Sequence, residues 1–109
     1  MRILFDNGTP RGLARFLTGH IVDEARAHGW EELENGDLID VAERSGFEVL
    51  VTTDNNIRYQ QNLASRKIAL VVLQHSQWPM VKLVAAHIVA AVNATQPGSY
   101  LEVPVPFKE

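Results

Sequence analysis

Val49-Leu50-Val51 is the stretch that most restricts what this chain can become. Three apolar residues run without polar alternation, so a strand made from them has two faces to bury. That suits a central position in a parallel sheet. Upstream, the residues from Asp37 read as a short helix with Leu38, Val41 and Ala42 turned inward and Gly46 as its stop. Downstream, Thr52-Thr53-Asp54 ends the strand. A helix begins at the same edge of an α/β sheet at which the strand it feeds finishes. Asp37 and Asp54 are therefore expected together at the carboxyl edge, where such folds keep their sites.

The rest of the chain repeats this alternation. Arg2 to Phe5 forms a short strand with Asp6 directly behind it. Asn7-Gly8-Thr9-Pro10 turns into a helix capped by Thr9, with Leu13, Phe16 and Leu17 as its apolar stripe and Gly19 as its end. His20-Ile21-Val22 reads as a strand, residues 23–29 as a short helix ending at Gly29, and Trp30 as packing back on the body. Glu31 to Gly36 is an acidic loop with an Asn35-Gly36 turn. Asp54 or Asn55 caps a helix to about Ala64, and Ile68 to Leu73 is the clearest strand. Pro79 starts a long helix to about Asn93 with Val81, Val84, Ile88 and Val92 on one face. Tyr100 to Val103 is an edge strand, which Pro104 and Pro106 prevent from continuing. The order predicts an α/β three-layer sandwich, a mainly parallel sheet of about five short strands with helices on both faces. Residues 1–109 are expected to form a single domain.

Composition narrows the chemistry. With no cysteine, disulfides, thiolate zinc sites and a cysteine nucleophile are excluded. The apolar run near the N-terminus is too short for a signal peptide, and no stretch is long enough to span a bilayer. A cytoplasmic protein is expected. A net charge of −3 does not advertise nucleic-acid binding, yet divalent cations and nearby arginines can offset an acidic site locally.

Asp6, Asp37 and Asp54 are thus expected at one edge. Three carboxylates there repel one another unless a hard cation neutralises them, and oxygen-only ligands suit Mg²⁺ or Mn²⁺. Such a site can activate water and stabilise the charge that builds on a phosphodiester. Each acid also has a plain structural use: Asp37 against the helix macrodipole and Asp54 as an N-cap.

DLIDVAERSGFEVLVTTDNN, an acid opening a helix and then an apolar strand ending in Thr-x-Asp, resembles the closing signature of PIN-domain nucleases. MRILFD resembles their first strand, and MRILFDNGTPRGLARFL is similar to the start of compact bacterial PIN-like proteins, often toxins encoded beside small antitoxins. The resemblance covers about residues 1–73. It implies a metal-dependent ribonuclease with Asp6, Asp37 and Asp54 as catalytic metal ligands and Thr52 supporting them through its hydroxyl. Separately, the apolar C-terminal strand and the Pro-Val-Pro-Phe tail can pair with another chain, an antitoxin protein or a second copy of the chain in a homodimer. The chain departs from the family pattern at three places. Asp6-Asn7-Gly8 stands for Asp-Glu-Asn, no glutamate on an early helix is clearly equivalent, and Asn56 replaces a second acid. These departures favour an alternative, a PIN-like module that binds nucleic acid or protein without cutting.

Arg11, Arg15 and Arg58 fall near helix starts facing the acidic edge, where they can hold phosphate oxygens or serve as solvated charges. Tyr59 can stack on a base or pack against the body. Asn7 and Asn56 can hydrogen-bond water at the site or act as turn residues alone. His20, His28, His75 and His87 have no metal-ligand spacing and read as structural. Trp78, before Pro79, reads as a staple on the last helix. A phosphoacceptor domain fits poorly, because Asp6 has no acidic neighbour and Lys67 precedes its strand.

Overall fold

The computed structural model describes residues 1–54, 57 and 65–106. Among them, strands β1 (Arg2–Phe5), β2 (Ile21–Glu24), β3 (Val49–Thr52), β4 (Ala69–Leu73) and β5 (Tyr100–Val103) form one sheet. Their order is β2-β1-β3-β4-β5, and every neighbouring pair is parallel. The α/β sandwich expected from the apolar runs is the architecture found.

Those runs are buried on both sides, and the period of two sorts them. Ile3, Phe5, Val49, Val51, Ala69, Val71 and Leu73 belong to one core, whereas Leu4, Leu50, Leu70 and Val72 belong to the other. Over the first face lie a 3-10 helix (Arg11–Phe16) and helices α2 (Trp78–Leu83) and α3 (Ala85–Asn93), which touch one another. Over the second lies α1 (Asn35–Arg44), joined by Ala25, Phe47 and Ile57. Each fully buried Leu, Ile or Val contributes about 1.5–3 kcal/mol relative to exposure.

Several local expectations differ from the structure. The helix expected after Thr9 is a 3-10 helix with Pro10 at its start, and it has no side-chain cap. Thr9 instead turns its buried hydroxyl inward to Val51 O and Asp6. Trp78 covers the backbone of Gly12, where any Cβ would meet the indole at 2.7 Å, and its ring lies 6.1 Å from that of Phe16. The long helix after Gln77 is broken at Val84, whose φ of −115° and ψ of 19° leave the helical region. Of the expected face, Val81, Ile88 and Val92 are buried, while Val84 at the break is half-buried and Ala85 takes its place in the core. Helix α1 starts at Asn35, two residues before Asp37, and its buried stripe is Leu38, Ile39 and Ala42, with Val41 half-buried. Gly46, at φ +90°, ends it as expected. The helix expected after Asp54 lies mostly outside the described residues, although Ile57 is helical and buried.

The connectivity decides where a site can form. From β1 the chain passes over the first face to reach β2, and from β2 it passes over the second face to reach β3. Beyond β3, Ile57 packs on the second face. The loops leaving the adjacent strands β1 and β3 therefore part to opposite sides, which makes their carboxyl ends the topological switch point where α/β sheets open a crevice.

Candidate active site at the carboxyl edge of the sheet

Asp6 and Asp54 stand at this switch point. Asp6 is held one residue beyond β1 by its N–H, which donates to Val51 O at 3.1 Å. Its Oδ1 accepts from the Gly8 N–H at 3.1 Å and lies 3.0 Å from Thr9 Oγ1. Thr9 Oγ1 is also 2.8 Å from Val51 O, and its single proton serves one acceptor at a time. Asp6 Oδ2 accepts from the hydroxyl of Thr52, which in turn accepts the Asp54 N–H at 3.1 Å. The fully buried Thr52 hydroxyl thus ties the two acids together. Asp54 Oδ2 accepts from the side-chain amide of Asn35. Gly8 is required by space, since a Cβ there would collide with Thr53 Oγ1.

The carboxyl of Asp6 is pushed above its ordinary range. Burial is the main cause; bonds from Thr52, Thr9 and Gly8 oppose it, and the negative charge of Asp54 adds to it.

Asp37 does not join them. It is exposed in the first turn of α1, and among the described residues no three His, Cys, Asp or Glu side chains gather as a metal-binding group. The helix start explains this. Asn35, Leu38, Ile39 and Ala42 follow the i, i+3, i+4, i+7 pattern and share the inward face, whereas Asp37 is rotated by about 200° from Asn35. Asn35 therefore reaches Asp54 where Asp37 was expected. Two residues of the site are not legible as such in the sequence, where Asn35 reads as a turn residue and Thr9 as a cap. The buried stripe traced one turn further back would have found Asn35.

The expected Thr52 contact is present. Asn7 donates its amide to Glu31 O at 2.6 Å and ties the β1 loop to the acidic loop. Arg11 faces the same edge and pairs with Glu24 at 3.2 Å. Asn56, Arg58 and Tyr59 lie outside the described residues. His20 bridges the Met1 amine and Asn93, and His28 pairs with Asp23 while stacking on Trp30 at 4.5 Å.

The donor set at the edge fits a hard divalent cation. Asp6 and Asp54 offer only oxygen, the Asp54 charge raises the proton affinity of Asp6, and Mg²⁺ is commonly held by one or two carboxylates with waters and substrate phosphate. Among the described residues no helix is long and apolar enough to cross a membrane. No family model matches the chain, and no match is found among curated proteins or solved structures.

Proposed function

We propose that the protein is a divalent-metal-dependent ribonuclease whose site is the Asp6–Asp54 pair. The observation that carries the reading is two aspartates at the β1/β3 switch point, with one buried threonine hydroxyl donating to the Asp6 carboxylate and accepting the Asp54 backbone N–H. Asp6 and Asp54 would hold Mg²⁺ or Mn²⁺, which when bound polarises a phosphoryl oxygen and offsets the charge of the reacting phosphodiester. Thr52 fixes the Asp6 carboxylate relative to the Asp54 loop, and Asn35 orients Asp54. Gly8 lets the β1 loop close against Thr53 beside Asp6. Because the Asp6 carboxyl binds its proton tightly, acid competes with a cation there at a higher pH than for an ordinary aspartate. Arg11, exposed beside this edge, is placed to meet the RNA. The resemblance to compact PIN-like toxins supports a cytoplasmic toxin restrained by an antitoxin protein.

Isothermal titration of Mn²⁺ into wild type and an Asp6→Ala/Asp54→Ala double variant, with an RNA-cleavage gel on the same samples, tests the reading. Binding and cleavage are expected in the wild type and absent from the variant. Wild type that binds no metal at millimolar concentration would sink it. A second reading, a module that binds without cutting, draws support from the outward position of Asp37, which leaves two acids at the edge. Metal binding without cleavage would select it.

A further inference from the structure

Beside Asp6, on the side away from Asp54, a cavity of about 230 Å³ opens between the ends of β1 and β2. Phe5, Ala14 and Val22 form its apolar walls, and Arg11 and Glu24 stand at its polar side. It belongs to the same edge as the acids. Phe5 and Glu24 are register partners at the ends of adjacent strands, and Asp6 follows Phe5 in the chain. Apolar walls with one convergent polar pair suit a flat ligand with a hydrogen-bonding rim, and the volume lies below the roughly 300 Å³ at which pockets for drug-sized ligands begin.

We propose that this cavity is a subsite for a guanine base of single-stranded RNA, the nucleotide next to the phosphodiester held at Asp6 and Asp54. The inference rests on the ribonuclease reading for the phosphodiester, but not for the base. The polar pair sets the choice. Glu24 supplies two acceptor oxygens, with its side chain 27% exposed, and Arg11 Nε stands 3.2 Å from Oε2 with its side chain 79% exposed. Arg11 Nε faces Oε2 in this arrangement, but the guanidinium is the exposed member and free to swing, and once it swings aside both Glu24 oxygens accept with arginine N–H donors beside them. Guanine complements those groups, with O6 as acceptor and the adjacent N1–H and N2–H as donors. Adenine, cytosine and uracil each offer at most one donor position on that edge, which leaves one carboxylate oxygen unmatched. An unmatched polar group in a part-buried site is what discrimination is built from.

The test is titration of guanosine, adenosine, cytidine and uridine monophosphates into the full chain, followed by NMR shifts. Wild type, Glu24→Gln, Ala14→Leu and Asp54→Asn would be compared. Guanosine monophosphate should bind about 10–100-fold more tightly than the other three. Glu24→Gln, which replaces one acceptor by a donor, should remove that preference. Ala14→Leu, which fills the cavity without touching the polar pair, should weaken binding of the base at least about tenfold. Asp54→Asn should leave the preference intact. Equal binding of all four nucleotides, or a preference that survives both cavity variants, overturns the proposal. An RNA-cleavage gel on the same samples separates the two readings. Metal-dependent cleavage without guanine preference sinks the subsite alone, whereas guanine preference without cleavage sinks the nuclease alone.

Discussion

Asp6 and Glu43 are both carboxylates that accept backbone N–H groups near an end of the sheet, yet their proton affinities move in opposite directions. Glu43, in the last turn of α1, reaches the residues that lead into β4. Its Oε2 accepts the Lys67 N–H at 2.6 Å and the Ile68 N–H at 3.2 Å, while Arg66 approaches its Oε1 at 3.7 Å. Burial raises its pKa, but those two N–H groups and the Arg66 charge outweigh burial and hold it below the usual range, against a small opposing push from Asp40. Asp6 is more deeply placed, its donors are mainly neutral hydroxyls, and its charged neighbour, Asp54, is of like sign. One end of the sheet uses a carboxylate to fasten a strand. The other keeps a carboxylate in an environment that disfavours its charge, a pattern that marks functional sites.

Four substitutions probe this contrast. The largest effect is expected from Asp54→Asn, which should lower metal-dependent RNA cleavage by at least about 100-fold. The same change removes the like charge beside Asp6, so the Asp6 midpoint, followed by carbon NMR of the carboxyl, should fall. An unchanged midpoint would show that burial alone sets it. Thr52→Val keeps the shape but removes the hydroxyl between the acids, and should weaken Mn²⁺ binding about 10–100-fold. Full affinity in that variant would mean that the acids are positioned without Thr52.

Glu43→Gln should destabilise the fold by about 1–2 kcal/mol at neutral pH, measured by urea unfolding. Folding lowers the Glu43 pKa, so its contribution is present above the usual carboxylate range and is lost as pH falls through the folded value. The difference from wild type should therefore vanish in acid. Asp6→Asn should act in the reverse sense, raising neutral-pH stability by about 1 kcal/mol in a metal-free buffer. Folding raises the Asp6 pKa, so native protein holds a proton that the unfolded chain releases. Stability accordingly declines as pH rises through that window, and the gain from Asn should shrink on acidification. A destabilised Asp6→Asn variant at neutral pH would place Asp6 with Glu43 as a structural carboxylate.

Much of the fold was legible because its strands have nowhere to hide a polar residue. Val49 to Val51 and Ile68 to Leu73 are apolar on both parities, and the structure buries both parities. Helix details were less legible. Thr9 looks like a cap because a threonine before proline usually is one, but a hydrogen-bonding hydroxyl beside Asp6 and Val51 O was the stronger competitor. The break at Val84 leaves no mark in a run of good helix formers. It follows from how two short helices lie on one face.

The same division runs through the site. Asp6 and Asp54 could be placed from the chain alone, since a residue one or two positions past a buried parallel strand lies at the carboxyl edge whatever the surrounding helices do. Asn35 and Asp37 could not be ranked that way. Two residues of difference in where α1 begins turn a side chain by about 200°, and that start was set by the packing of Leu38, Ile39 and Ala42 against the sheet. Sequence fixes which residues lie in a strand and which edge they reach. The direction in which a helical side chain points depends on the surface the helix packs against, and only the assembled sheet supplies that surface.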